Sequence, residues 1–546
     1  MFKREIWGIP TGMWLVGVVY LALTALLRSY YVDYESLRQI AAVAEGFRRD
    51  SLGFWSGHAP LGMLLFWALT KPFALVFPLL ESAQVLGAVA ITLTGLILYR
   101  IFRMVGLSGG LSGWLTGLFY FSNVVLNAAT MFSFAAIALF LMAWWAKTAL
   151  HTLAPREADP VSLTRLGVVG GLLCGINLFA LFPAIAVGVA ATRRGRAGGY
   201  WAGLWGVMLV VYLAVYFAVL PNPVMAYGVE RPKPSFVEWI ATGGVGSAIT
   251  IPRFSGLYWQ ATGEQAQNAL LALGRPFRVR DVYQYYAAGT FVTLLKGAFL
   301  ALGLLTLILL IVVATTGERI ISDRLVSLTR QIGGYSLALS LIALILWKGD
   351  YQPLYLWTLF WALMGLGGWL ASYVEEDVQR VVYGFAPLVL VMVLFGLIKQ
   401  SGLRSAEIDG ERQEAEAVRE VLTESTTAVA ATRIAEWLRY YAAGRARVVA
   451  TEYWLQPDAD FRQLLQSAQQ NQQRLIVWQY ALDPEIYRKA NLPVKITWLE
   501  ALEKAKAEFD KGEGGRLRGY ARIVIYPTLI DQWVGEVHTY GEAPKR

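Results

Sequence analysis

The chain has 546 residues, of which 56% are hydrophobic, with a mean hydropathy of +0.46. Soluble domains carry about 45–50% apolar residues, so an ordinary soluble enzyme is excluded. Three histidines and one cysteine, Cys174, exclude a disulfide within the chain and a zinc site of ordinary ligand spacing. The net charge of +9 sits in the first part of the chain: residues 1–403 hold 28 Lys and Arg against 18 Asp and Glu, residues 404–546 hold 20 against 21. A positive-inside bias explains that asymmetry. Nucleic-acid binding does not, because no basic stripe with interleaved aromatics is present.

Residues 1–10 read as a short cytoplasmic tip ahead of a full-length apolar span. Runs long enough to cross about 30 Å of hydrocarbon follow at 11–27, 85–104, 112–128, 131–148, 199–220, 291–315, 331–347, 353–372 and 381–399. The stretch 166–191 is too long for one span. It holds Pro183 and is flanked by Arg165 and by Arg193, Arg194 and Arg196, so it is expected to be a hairpin of two short helices with both ends cytoplasmic. The stretch 61–80 is expected to dip into the interface, because a crossing there would put Arg100 and Arg103 outside. These assignments predict about eleven spans and a cytoplasmic N-terminus.

Three segments then lie outside: the loop 28–60, the loop 221–290, and everything after Lys399. The first is expected to carry an amphipathic helix near Ser36–Phe47, the second helices near Phe236–Thr242 and Gly263–Leu273. Glu407–Glu424 reads as a charged linker helix. Beyond it, β-branched and aromatic runs at Arg447–Tyr453, Arg474–Tyr480, Val494–Trp498 and Ala521–Tyr526 read as strands. Helical patterns at Asp460–Gln470 and Trp498–Asp510 alternate with them, which predicts a small α/β domain with a partly parallel sheet. The expected division is therefore a transmembrane domain, 1–403, and a soluble domain, 404–546. The tail shows no phosphate-binding glycine loop, nucleophile elbow or triad order, so packing on the membrane part or docking of a protein partner is its ordinary reading.

Ionisable groups at a membrane boundary are expensive unless solvated or used. Two clusters stand there. Asp33 and Glu35 follow the first span in Tyr30-Tyr31-Val32-Asp33-Tyr34-Glu35, and His58-Ala59-Pro60-Leu61 opens the next apolar stretch. Arg48, Arg253, Lys348 and Tyr351 fall on the same side at similar depth. Each also has an ordinary reading. Asp33 fits a helix cap, Glu35 a first-turn charge, His58 a turn residue, Arg48 a solvated helix face, and Lys348 and Tyr351 interfacial anchors.

The acidic pair, the short helix and the His-X-Pro-Leu step together resemble the GT-C glycosyltransferases. The nearest group is the protein O-mannosyltransferases and lipid A aminoarabinose transferases. Lys348-Gly349-Asp350-Tyr351-Gln352-Pro353 is similar to that family's basic-X-Tyr-X-X-Pro opening of a late span. The resemblance implies a GT-C-like polytopic helical membrane protein with a C-terminal extracytoplasmic α/β domain, in a bacterial or archaeal cytoplasmic membrane. It implies transfer of a sugar from a polyprenyl-phosphate donor to a protein, lipid or glycan acceptor on the outer face. Asp33 would be the general base, with Glu35 beside it. His58, Arg48, Lys348, Tyr351 and Arg253 would hold substrate or phosphate. The chain departs from the pattern in one place: 123–133, where the family carries a second acid, has no carboxylate, and Asn127 or Ser133 stands instead. No cofactor is therefore assigned, and a divalent metal held by two carboxylates is not expected. That departure keeps open a second reading, a catalytically decayed subunit retained as a scaffold. A transporter is a third, but no internal repeat supports it.

Overall fold

The computed structural model describes residues 5–6, 8–28, 34–46, 54–155, 159–193, 197–226, 229–242, 290–319, 323–346, 352–405, 410–451, 454, 456–471, 473–485, 496–511, 515–516 and 523–526. A small hairpin, β1 Glu5–Ile6 and β2 Ile9–Pro10, leads into α1 Thr11–Leu26. There follow α2 Tyr34–Glu45, α3 Gly62–Phe73, α4 Leu79–Met104, α5 Gly109–Phe121, α6 Asn123–Asn127 and α7 Phe134–Leu153. Then come α8 Pro160–Ile176, α9 Leu181–Thr192, α10 Gly198–Ala214, the hairpin β3 Val224–Ala226 and β4 Val229–Arg231, and α11 Phe236–Thr242. The long helices α12 Thr290–Thr316, α13 Arg324–Leu346, α14 Gln352–Leu370 and α15 Glu375–Ser405 complete the apolar part.

Five of the described helices are long and apolar enough to cross a membrane: α4, α7, α10 with its π-helical extension to Val219, α12 and α15. Helix α3, with 12 residues, is about 18 Å long, well short of a ~30 Å hydrocarbon core. The stretch 166–191 does split into two helices, but the break is at Asn177, not Pro183. Asn177 is extended and its side chain accepts from the Phe179 N–H. Pro183 lies in the first turn of α9, where a missing N–H costs nothing. The predicted span 112–128 is interrupted at Ser122 and continues through α6 into a π-helical turn, Ala128–Phe132.

The chain divides into two compact units. One comprises Met1–Val32, Leu69–Tyr212 and Trp259–Glu407. Within it α4 packs on α7, α12 on α15 and α13 on α14. Tyrosines link its helices where polar groups face apolar surroundings: the Tyr120 hydroxyl donates to the Thr92 carbonyl at 2.7 Å, and the Tyr20 hydroxyl to the Tyr120 carbonyl at 3.1 Å. Helices α8 and α10 meet backbone to backbone through two small-xxx-small steps, Gly167/Gly171 and Gly199/Gly203. A Cβ on Gly167 would run into the Tyr200 carbonyl, and one on Gly203 would lie 2.8 Å from the Thr164 carbonyl. Gly167→Ala is therefore expected to lower the unfolding temperature of the purified protein. Gly206→Ala, on the same pair of helices but with open space around it, is expected to leave it unchanged or raise it, since alanine favours helix by about 0.5–1 kcal/mol. Equal effects of the two would mean that this helix contact is not tight.

The other unit joins Asp33–Ala68, Leu213–Tyr258 and Ile408–Arg546. Its sheet consists of β5 Thr426–Ala430, β6 Arg447–Ala450, β7 Arg474–Trp478, β8 Gly515–Arg516 and β9 Ile523–Tyr526, in the order β6-β5-β7-β9-β8. Strands β6 and β7 flank β5 in parallel, and β9 runs antiparallel to β7. The sequence reading found β6, β7 and β9 but not the interior strand β5, all five residues of which are buried. Helix α16 Gly410–Ala417 lies in the predicted linker, α17 Thr432–Ala442 joins β5 to β6, and α18 Pro457–Gln470 joins β6 to β7. The strand expected at Val494–Trp498 is a correction: α19 runs Ile496–Lys511. Trp498, Leu502 and Ala505 are buried at helical spacing, and the Trp498 indole donates to the Trp454 carbonyl at 2.9 Å.

Candidate functional site

Helix α2 starts at Tyr34, one residue after Asp33, and Glu35 lies in its first turn. Asp33, Arg48, Arg253, Lys348 and Tyr351 lie outside the described residues. Helix α2 stands where an amphipathic helix is expected, and its apolar face is fully buried. Leu37, Ile40, Ala41 and Val43 have no exposure, and Ser36, Ala42 and Glu45 are buried too. It packs against α17. Gly46, at φ +62°, ends it, returning its N–H to the Ala42 carbonyl at 2.9 Å, the left-handed close that favours glycine.

His58 sits in a tight turn. Its backbone N–H donates to the Ser56 hydroxyl at 3.2 Å, the Ala59 N–H to the Ser56 carbonyl at 3.0 Å, and the Gly62 N–H to the Ala59 carbonyl at 3.0 Å. Ser56 thus organises the step that leads into α3, a local side-chain turn of the kind serine favours. Phe54, Trp55 and Pro60 are buried around it, while His58 is half-buried.

The segment carrying α11 holds this turn in place. Trp239 on α11 is fully buried, and its indole N–H donates to the Trp55 carbonyl at 2.9 Å. Gly57 lies so close to the Trp239 backbone that a Cβ there would overlap its carbonyl. The rings of Tyr216 and Phe236 pack on Trp239 at 5.6 and 6.3 Å. Lys233 is placed by the same cluster. Its ammonium donates to the Tyr216 and Leu220 carbonyls at 2.6 and 2.9 Å and stands 4.4 Å from the Tyr216 ring centre. It satisfies carbonyls at the end of the π-helical turn Val215–Val219, where a cation is favoured. The sequence reading singled out neither Trp239 nor Lys233; nothing local ties Trp239 to Trp55, 184 positions earlier.

In the other unit, the place of the missing acid is a buried set of neutral groups that bond one another. The Gln400 amide donates to Asn127 Oδ1 at 3.3 Å, the Thr130 hydroxyl to Gln400 Oε1 at 3.1 Å, and the Gln84 amide to the Thr130 carbonyl at 3.4 Å. All four residues are buried. Neutral amides already engaged with each other do not fit a dication held by two carboxylates.

No protein-family profile matches the sequence. No curated protein matches it either. Among solved structures the chain is similar to ArnT from Cupriavidus metallidurans bound to undecaprenyl phosphate. The TM-score is 0.52 at 11% identity, over 95% of this chain and 98% of that one. The same protein in the apo state gives a TM-score of 0.47 at 13% identity, over 98% and 99%. The likeness to the undecaprenyl phosphate complex shows that this chain shares the overall fold of that structure, and with its apolar helices it marks the chain as an integral membrane protein.

Proposed function

We propose that the protein is a glycosyltransferase that takes a sugar from a polyprenyl-phosphate donor and delivers it to an acceptor on the extracytoplasmic face, with inversion at the anomeric carbon. The observation that carries this reading is a fold likeness spanning nearly both chains to a protein crystallised with undecaprenyl phosphate. Asp33 takes the proton from the acceptor nucleophile as it attacks. The transition state is oxocarbenium-like, so the same carboxylate, with Glu35 next to it, also acts electrostatically. The leaving group is a lipid phosphate at headgroup depth, held by cations from the set His58, Arg48, Arg253 and Lys348, with Tyr351 at the same boundary. The described turn at His58 supports its part: Ser56 and Trp239 fix its backbone, while the imidazole stays half-exposed.

Purified protein in nanodiscs is expected to bind undecaprenyl phosphate and to consume at least one sugar linked to it when offered a panel of acceptors. Turnover is expected to survive a strong chelator. Chelator-sensitive transfer would show that a metal site exists elsewhere. Failure to bind the lipid phosphate, together with no transfer, would favour the scaffold reading, which the neutral cluster at Asn127 keeps alive.

The same proposal places the N-terminus in the cytoplasm and residues 404–546 outside, as a soluble domain. In a Cys174→Ser background, a cysteine at Gln470 is expected to react with an impermeant thiol reagent on intact cells, and one at Arg194 is not. The opposite pattern would invert the topology.

A further inference from the structure

Among the described residues of the second unit, the deepest charged group joins α2 to the C-terminal domain. Arg439 on α17 is 1% exposed, Glu45 at the end of α2 is 7% exposed and Glu436 is 1% exposed. The guanidinium grips Glu45 with two parallel hydrogen bonds, Nε to Oε1 at 3.0 Å and Nη2 to Oε2 at 2.8 Å. Its third nitrogen, Nη1, donates to Glu436 Oε2 at 2.7 Å. This arrangement is costly twice over. Three charges, one guanidinium and two carboxylates, are taken out of water, which hydrophobic residues of like size would avoid. A carboxylate also stands at the C-terminal end of a helix, where the macrodipole disfavours it. Helix α2 already buries an apolar face against α17, so the ion pair is not needed simply to bring the two helices together. What a bidentate fork adds over apolar packing is direction: it fixes the rotation and tilt of the helix that carries the carboxylate.

We infer that Arg439 and Glu45 are positioning residues that aim the start of α2, and so the adjoining Asp33, and that the C-terminal domain is a working part of the transfer site. The inference rests on the proposed role of Asp33. Its geometry is a lever. Helix α2 has 12 residues and is about 18 Å long, so a tilt of about 4° at one end moves the other by about 1.3 Å. Misplacing a reacting group by about 1 Å can cost about 10²-fold in rate. Glu45 stands at one end of this lever, and Tyr34, next in sequence to Asp33, stands at the other.

The test uses the full chain in nanodiscs with Arg439→Met, Arg439→Lys and Glu45→Gln. The last keeps the side-chain shape and leaves the Arg439–Glu436 pair, so it stays informative where Arg439→Met fails to fold. Hydrogen exchange is followed over residues 34–46, with β5, β6 and β7 as internal reference. Exchange over 34–46 is expected to quicken about tenfold or more in Arg439→Met and Glu45→Gln, with the strands unchanged. Arg439→Lys, which keeps the charge but loses the fork, is expected to fall between them and wild type. In the transfer assay, kcat is expected to fall about tenfold or more, with the donor KM within about threefold. Unchanged exchange over 34–46 in Glu45→Gln overturns the clamp. Wild-type kcat in a variant whose 34–46 exchange has risen overturns the positioning role, as does a loss confined to KM. Wild-type turnover in Asp33→Asn instead sinks the base assignment and leaves the clamp to the exchange data. So does a wild-type protein that transfers nothing.

Discussion

Asp33→Asn is expected to lower turnover by roughly 10²–10⁴, the range for losing a general base, while leaving the fold intact. The carboxamide is nearly isosteric, and the residues that anchor α2 are elsewhere: the apolar side chains of 37–43 and the Glu45–Arg439 pair. The nucleophile must shed its proton as it reaches the anomeric carbon, and an amide cannot accept it. In the proposed function cations, and not Asp33, hold the lipid phosphate, so undecaprenyl phosphate should bind the variant as it binds wild type. Loss of kcat with unchanged lipid binding and unchanged unfolding temperature is the signature of this role. Wild-type turnover would remove Asp33 as the base. A fall in stability that matches the fall in turnover would instead support the ordinary reading of Asp33 as a helix cap.

The parts legible in the sequence are those whose physics is local. Apolar runs mark the membrane helices because an unpaired backbone cannot stand in hydrocarbon. The helix at Phe236–Thr242 and the strands at 447–450, 474–478 and 523–526 were expected from residue type and spacing. The errors come from longer range. Ile496-Thr497-Trp498 has a strand's composition but is helix, because Leu502 and Ala505 extend the buried face begun by Trp498. Strand β5 was missed: Thr-Thr-Ala-Val-Ala is a weak local signal, and its place between β6 and β7 is decided by pairing partners far along the chain. The site divides in the same way. His58 was legible as a turn before proline, whereas Glu45 and Arg439, 394 positions apart, carry no local mark of belonging together. The absence of a carboxylate in 123–133 was plain, but that Asn127 engages Gln400 emerged only from the packing of helices remote in sequence.

Trp239→Ala is expected to be the most destabilising single change in the second unit, by about 3–5 kcal/mol, the usual range for truncating a fully buried aromatic. The indole has no exposure, lies against the Tyr216 and Phe236 rings, and gives its N–H to the Trp55 carbonyl. For a unit of some 200 residues, each kcal/mol shifts the unfolding midpoint by about 2–4 °C, so a fall of roughly 6–20 °C should be read in detergent. Trp239→Phe fills most of the space and gives up only the hydrogen bond, so its loss should be nearer 1 kcal/mol. The functional consequence follows from what the indole holds. Trp55 opens the turn that carries His58, and Gly57 rests on the Trp239 backbone. If His58 holds the donor phosphate as proposed, losing the ring takes away its fixed approach. At temperatures well below the lowered midpoint, Trp239→Ala should raise the donor KM more than it lowers kcat, the reverse of the Asp33→Asn pattern. A stability loss below about 1 kcal/mol would mean that the cavity closes and the cluster is not a rigid support. An unchanged donor KM in a clearly destabilised Trp239→Ala would remove His58 from phosphate binding while leaving the aromatic cluster as the brace between α11 and the turn at Ser56.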